Sequence, residues 1–179
     1  YAQFALMGLA GACFMGIFLA LESYRLERLA IWRNPEKYEK GYQTLQGLYA
    51  IGSGGVFGVG LGNSVQKLGF VPEAQNDMIF SIICEELGLA GAGIIVFLFL
   101  LLIWRFFMIA SGSRDLFGAL IATGAMAHMM IQVVLNIAVV TNTIPNTGIT
   151  LPFISYGGTS VMFLLIEMGL VLSVSQVVD

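Results

Sequence analysis

Four long apolar stretches dominate this chain. They run from Tyr1 to about Leu21, from about Met78 to Trp104, from about Leu116 to Val140 and from about Gly158 to Val177. An α-helix needs about 20 residues to cross a bilayer. A bilayer leaves no water for lone backbone groups, so each stretch is predicted to be a helix. The expected fold is an all-α, polytopic integral membrane bundle in a single membrane domain. Only 11% of the 179 residues are charged, less than half of what a soluble domain of this size carries. The net charge of -3 argues against a nucleic-acid surface. Cys13 and Cys84 lie in apolar runs and read as small buried hydrophobes. The chain starts at Tyr1 within apolar sequence, without an initiator Met or a signal peptide, and reads as part of a longer protein.

Orientation follows from the connections. Residues 105–115 carry Arg105 and Arg114, whereas residues 141–157 carry no Lys or Arg. By the positive-inside rule the first connection is cytoplasmic and the second extracytoplasmic. The long loop, residues 22–76, then also lies outside. Its bases, Arg25, Arg28, Arg33, Lys37, Lys40 and Lys67, pull the other way, but five acids offset them and the loop is near the length at which the rule loses force.

Within that loop GYQTLQGLYAI puts Tyr42, Leu45, Leu48 and Tyr49 on one side of a helix, the pattern of an interfacial amphipathic segment. GSGGVFGVGLGNS follows, dense in glycine. Its interleaved Val56, Phe57, Val59 and Leu61 favour a segment folded against the membrane domain over a flexible linker.

The candidate chemistry sits near the ends of the spans. Asp77, in VPEAQNDMIFSIICEELG, is at the membrane surface beside Glu73. It reads either as a helix N-cap or as a carboxylate acting on a lipid-linked head group. Glu85 is expected to face a cavity or a partner helix, because burying a charge in hydrocarbon costs roughly 2.5–3.5 kcal/mol. On a continuous helix it is about 80° from Asp77, some 12 Å deeper. Gly124, His128, Gln132 and Asn136 fall at i, i+4 spacing, which makes interhelical packing or a groove lining. His128 has no second ligand at zinc spacing. Arg25 and Arg28 suit either snorkelling to lipid phosphate or holding a pyrophosphate. The loop with Pro145, Asn146, Thr147, Gly148, Thr150, Pro152, Ser155 and Tyr156 is rigid, polar and uncharged. It suits sugar hydroxyls or a self-satisfied turn. Glu167, within the last span, is expected to face protein and not lipid.

Four blocks, GYQTLQGLYAIGSGGVFGVGLGNSVQK, VPEAQNDMIFSIICEELG, IQVVLNIAVVTNTIPNTGITLPF and ISYGGTS, occur in this order. In these the chain resembles the SEDS proteins (shape, elongation, division and sporulation), which include FtsW, RodA and SpoVE. The resemblance starts at YRLER and runs to the end. The GLGNS and ITLPFISYGG forms look more like the division and sporulation branch than the elongation branch. Departures are Asn76-Asp77 where many relatives have Thr-Asp, Met78 where Phe is frequent, and Thr147 where some division proteins have Lys.

The resemblance implies about ten spans, of which these would be the last four. It also implies a bacterial cell-membrane protein whose long loop and active site face the extracytoplasmic side. The implied activity is peptidoglycan glycosyl transfer, polymerising lipid II (undecaprenyl-pyrophosphoryl disaccharide-pentapeptide) into glycan strands in division, sporulation or shape control. Asp77 matches the family's essential loop aspartate. Arg25, Arg28, Lys67, Glu73, Glu85, Gln132, Asn136, Ser155 and Gly157 match motif positions, and Thr147 falls in the same loop. No cofactor is implied with certainty, and Mg or Mn is a candidate. Implied partners are lipid II, the undecaprenyl-linked glycan strand, membrane lipid and a class B penicillin-binding protein. Competing readings are a lipid II flippase, resting on Glu85 and Gln132, and a non-catalytic scaffold for a transpeptidase.

Overall fold

The computed structural model describes residues 23–72 and 74–176, with side chains from residue 27. Among these the chain is wholly helical, with α1 (Ser23–Arg33), α2 (Tyr42–Ser53), α3 (Ile79–Gly112), α4 (Leu116–Val140) and α5 (Gly158–Ser175). Short 3-10 turns occupy Pro35–Lys37, Glu39–Gly41 and Gln66–Leu68. α3, α4 and α5 are long and apolar enough to cross a membrane. The stretch read as a span at residues 1–21 lies outside the described residues.

The three long helices share one core. Phe99 and Phe106 of α3, Met129 and Val133 of α4, and Leu164 and Val171 of α5 are all buried. Their other faces expose Phe97, Trp104, Leu120, Ile131 and Phe163. Helices apolar on every side need apolar surroundings, so those faces belong within a membrane, against lipid or further spans. α3 does not stop at Trp104, because nothing after it breaks a helix before Gly112. Arg105 therefore rides on α3, and the connection to α4 shortens to residues 113–115. Asp115 closes it as an N-cap, accepting from the Gly118 N–H at 2.8 Å.

α3 is not continuous. At Gly88 the backbone takes φ 68°, ψ -170°, a region essentially only glycine enters. The break leaves the carbonyls of Glu85 and Glu86 and the N–H groups of Leu89 and Ala90 without helical partners, and the glycine-rich loop supplies them. Val59 and Gly60 donate to Glu85 and Glu86, while Leu89 and Ala90 donate to Gly55 and Val56, each at 3.0 Å. The loop is thus docked on the helix as an added strip of backbone. A Cβ at Gly88 would run into the Val56 carbonyl and the Gly58 nitrogen. Beyond Gly88, α3 alone exceeds the roughly 20 residues a bilayer requires. Glu85 and Glu86 need not enter hydrocarbon.

α2 lies along the head of α3 through small residues. Gly47 and Ala50 are buried, and a Cβ at Gly54 would overlap the Cys84 carbonyl. Tyr42 and Tyr49 are exposed on the other side, as an interfacial helix requires.

Gly88→Ala should cost about 1–3 kcal/mol, since it forces an alanine into a glycine-only conformation. Gly93→Ala, with open space at its Cβ, should be neutral or gain up to about 1 kcal/mol. Thermal unfolding of both variants in detergent checks the contrast.

Candidate active site

Asp77 precedes α3 instead of capping it. The N-cap position is Met78, which makes no side-chain cap bond. The N-cap reading therefore gives way, and so does the helical angle drawn from Asp77 to Glu85, because Asp77 is outside the helix. Asp77 is 9% exposed. Its carboxylate accepts from Gln43 Nε2 at 3.4 Å. Its carbonyl accepts from Asn136 Nδ2 at 2.9 Å, and the same amide donates its other hydrogen to the Ile149 carbonyl at 2.7 Å. One buried side chain on α4 thus fixes both the head of α3 and the loop between α4 and α5, residues 141–157, read from the sequence as the outer loop.

Asp77 borders two openings. The first is a cavity of about 270 Å³ walled by α1, the 39–41 turn, α2 and the outer loop, with Glu27, Arg28, Trp32, Lys40, Gln43 and Asn146 among its lining. Arg28 donates to the Asn146 carbonyl at 2.9 Å. Trp32 Nε1 donates to the Asn142 carbonyl at 2.9 Å, which fastens α1 to the outer loop. Lys40 and Glu27 form an exposed ion pair at 3.0 Å. Such a pair contributes about 0–1 kcal/mol, so an arriving anion can compete for the lysine. The second opening, about 320 Å³, is lined by Asn76, Asp77, Gly148, Thr150 and Tyr156, so among the described residues Asp77 is its one charged lining residue. The Asp77 carboxylate can act on a hydroxyl in the polar opening while Arg28 and Lys40 hold an anionic group in the other cavity.

The other residues singled out in the sequence are divided. Asn136 is wholly buried and positions Asp77, with no surface left for substrate. Gln132 donates to the Thr150 carbonyl at 3.0 Å and braces the outer loop. Ser155 is buried, and its hydroxyl accepts from the Leu151 N–H at 2.7 Å. Thr147 is exposed between the lining residues Asn146 and Gly148. Glu85 is buried away from the cavity, where it accepts from the Ser64 hydroxyl and from the Val65 N–H at 3.1 Å. Lys67 is paired with Glu86 at 2.6 Å and borders an apolar groove with Leu68, Val71 and Ile82. Both glutamates therefore hold the 64–67 segment and are not part of the Asp77 cavity. Arg25 is on α1 with its side chain outside the described part, and Glu73 is outside the described residues altogether. His128 and Glu167 pair at 2.9 Å across α4 and α5, so Glu167 faces protein.

Gln43, Trp32 and Asn142 join the site through long-range contacts that no motif announces, and Lys40 and Asn146 stand in the sequence only as loop charge and loop polarity. A signal for Gln43 exists: Gln43, Gly47, Ala50 and Gly54 lie at i, i+4, i+7 and i+11, a small-residue face headed by one amide.

The geometry can be set beside known proteins. The FtsW/RodA/SpoVE family model, described as a cell cycle protein, matches residues 1–179. The chain belongs to the FtsW/RodA/SpoVE family. It is 47% identical over 178 residues to stage V sporulation protein E of Bacillus subtilis, covering 98% of this chain and 48% of that protein. It is 46% identical over 165 residues to a probable peptidoglycan glycosyltransferase FtsW of Coxiella burnetii, covering 89% of this chain and 44% of that protein. Among solved structures, a chain of a peptidoglycan synthase complex that coordinates polymerization and crosslinking matches with TM-score 0.76 and 29% identity, over 97% of this chain and 49% of that one. A Thermus thermophilus rod shape determining protein RodA, crystallised as an aspartate-to-alanine mutant, matches with TM-score 0.57 and 35% identity, over 73% of this chain and 39% of that one. This FtsW/RodA/SpoVE chain spans about half the length of the curated relatives it matches. It is a membrane protein.

Asn136→Leu should cost about 1–3 kcal/mol, because it leaves two buried carbonyls without a donor. A lowered thermal midpoint in detergent, with helicity unchanged by circular dichroism, is the expected result.

Proposed function

We propose that the protein is a membrane glycosyltransferase that polymerises lipid II from the extracytoplasmic face of the bacterial cell membrane. The carrying observation is the Asp77 carboxylate, nearly buried between a cavity that holds Arg28 and Lys40 and a polar one with no other charged lining residue among the described residues. The names of relatives, probable peptidoglycan glycosyltransferase FtsW, support the same chemistry.

In this reading the sugar 4-hydroxyl of one lipid II lies in the polar opening, among Thr150, Tyr156 and Gly148. Asp77 takes its proton as the oxygen attacks the anomeric carbon of the lipid-linked strand. The bond from that carbon to the pyrophosphate oxygen breaks with inversion, and undecaprenyl pyrophosphate leaves toward Arg28 and Lys40. Guanidinium and ammonium groups there stabilise the charge that develops on the leaving group. The isoprenoid tail needs an apolar surface, which the groove along Leu68, Val71, Ala74 and Ile82 offers.

Among the described residues no three His, Cys, Asp or Glu side chains converge on one point. Asp77 and Glu27 are, among the described residues, the carboxylates that border the cavity holding Arg28 and Lys40. That donor set fits a Mg or Mn ion carried on substrate phosphates, which needs one or two protein carboxylates, and does not fit an all-protein cage. Such an ion would offset phosphate charge alongside Arg28 and Lys40. A class B penicillin-binding protein is the proposed transpeptidase partner. The flippase reading is weaker, because Glu85 and Gln132, on which it rested, are both taken up in bracing the loops.

Incubating the full-length protein and its transpeptidase partner with labelled lipid II tests the proposal. Asp77→Asn should cut polymerisation by about 10²–10⁴ with an unchanged thermal midpoint. Substantial polymer from that variant would remove Asp77 from the role of base.

A further inference from the structure

The Asp77 carboxylate and the Arg28 guanidinium stand at the same cavity but belong to elements far apart in sequence. One neutral side chain connects them. Gln43 Nε2 donates to the Pro72 carbonyl at 3.1 Å and to Asp77 Oδ1 at 3.4 Å. Its Oε1 accepts from Asn146 Nδ2 at 3.5 Å. The Asn146 side chain is itself oriented, since its Oδ1 accepts from the Gly148 N–H at 2.9 Å. The Asn146 carbonyl accepts from Arg28 at 2.9 Å. Gln43 and Asn146 each use both ends of the amide in this relay. The placement is fixed from behind, because Gly47, Ala50 and Gly54 seat the same face of α2 on α3.

We infer that Gln43 is a positioning residue for Asp77, which aims the carboxylate and ties it through Asn146 to the Arg28 side of the cavity. The inference deepens the glycosyltransferase reading and rests on it. A neutral amide suits the task. It donates to the charged form of the carboxylate without competing for the proton. Among the described residues the charged groups bordering this cavity are Glu27 and Arg28 from α1, Lys40 from the 39–41 turn, and Asp77 itself; the described lining residues from α2 and the outer loop are neutral. Loss of a hydrogen bond to the carboxylate favours its protonated form. Asp77 then becomes a competent base only at higher pH, so the acid limb of the rate profile moves upward. A like charge in the same place moves it further.

The test measures lipid II polymerisation against pH for the full-length protein with its partner, comparing wild type, Gln43→Leu, Gln43→Glu and Asp77→Asn. Gln43→Leu should lower kcat by about 10- to 100-fold, as expected for a misaimed catalytic group, with a much smaller change in KM. Its acid limb should lie at higher pH than in wild type, and that of Gln43→Glu higher still. Gln43→Glu keeps the shape of the side chain, so it carries the test even where the leucine variant unfolds. A purely structural residue would lower the thermal midpoint and leave the limb in place. Wild-type kcat and an unmoved limb in both Gln43 variants, beside an inactive Asp77→Asn, overturn this inference and leave the enzyme reading standing. A wild type that makes no polymer overturns both.

Discussion

The buried amide of Asn136 is the constraint on which the site depends. It spends both N–H groups on carbonyls, one at Asp77 and one at Ile149. Those carbonyls belong to the start of α3 and to the outer loop, two segments of irregular backbone. Buried irregular backbone survives only where something in the protein satisfies it. Asn136 does so from the middle of the bundle, and Gln132, one turn away, repeats the device at Thr150. A further backbone link, Tyr156 N–H to the Gln75 carbonyl at 2.7 Å, closes the two segments on each other. Asp77 is thus held by its main chain, which leaves its carboxylate to face the cavities.

The same logic explains the acids at Glu85 and Glu86. Because α3 breaks at Gly88, its first turns form a platform for the glycine-rich loop and not the upper part of a span. The two carboxylates then meet backbone N–H groups, the Ser64 hydroxyl and Lys67, so neither is an isolated charge in hydrocarbon. The glycines at 54, 58 and 88 serve this docking directly, since a side chain at any of them would occupy space already held by backbone. The glycine-rich tract, read in sequence as folded against the membrane domain, is the part that completes a broken helix.

Hydropathy made the helical bundle and its apolar spans readable, because length and composition decide what can lie in a bilayer. The motif blocks brought the family within reach of the sequence as well, and the matches to FtsW, SpoVE and RodA proteins agree with it. The polar stripe of α4 was legible as a stripe but not as a brace, since its partners come from a loop with no periodicity. Glu85 was set near Asp77 because a helical wheel assumes that the helix already runs at Asp77, and its start at Ile79 does not show in the pattern. Gln43 and Trp32 escaped notice because their contacts, at Pro72, Asp77, Asn142 and Asn146, join segments separated by tens of residues. Among the pairs left unexplained by motif, His128 and Glu167 found each other across α4 and α5.

The central claim is a division of labour around Asp77, with the anionic leaving group on the Arg28 and Lys40 side and the attacking sugar on the Thr150 and Tyr156 side. A structure of the full-length protein with undecaprenyl pyrophosphate bound tests it most directly. The account predicts phosphate oxygens within hydrogen-bond distance of Arg28 and Lys40, with the Asp77 carboxylate beside them. Phosphates lodged instead between α4 and α5, near His128 and Gln132, would contradict it and point to a path for translocation.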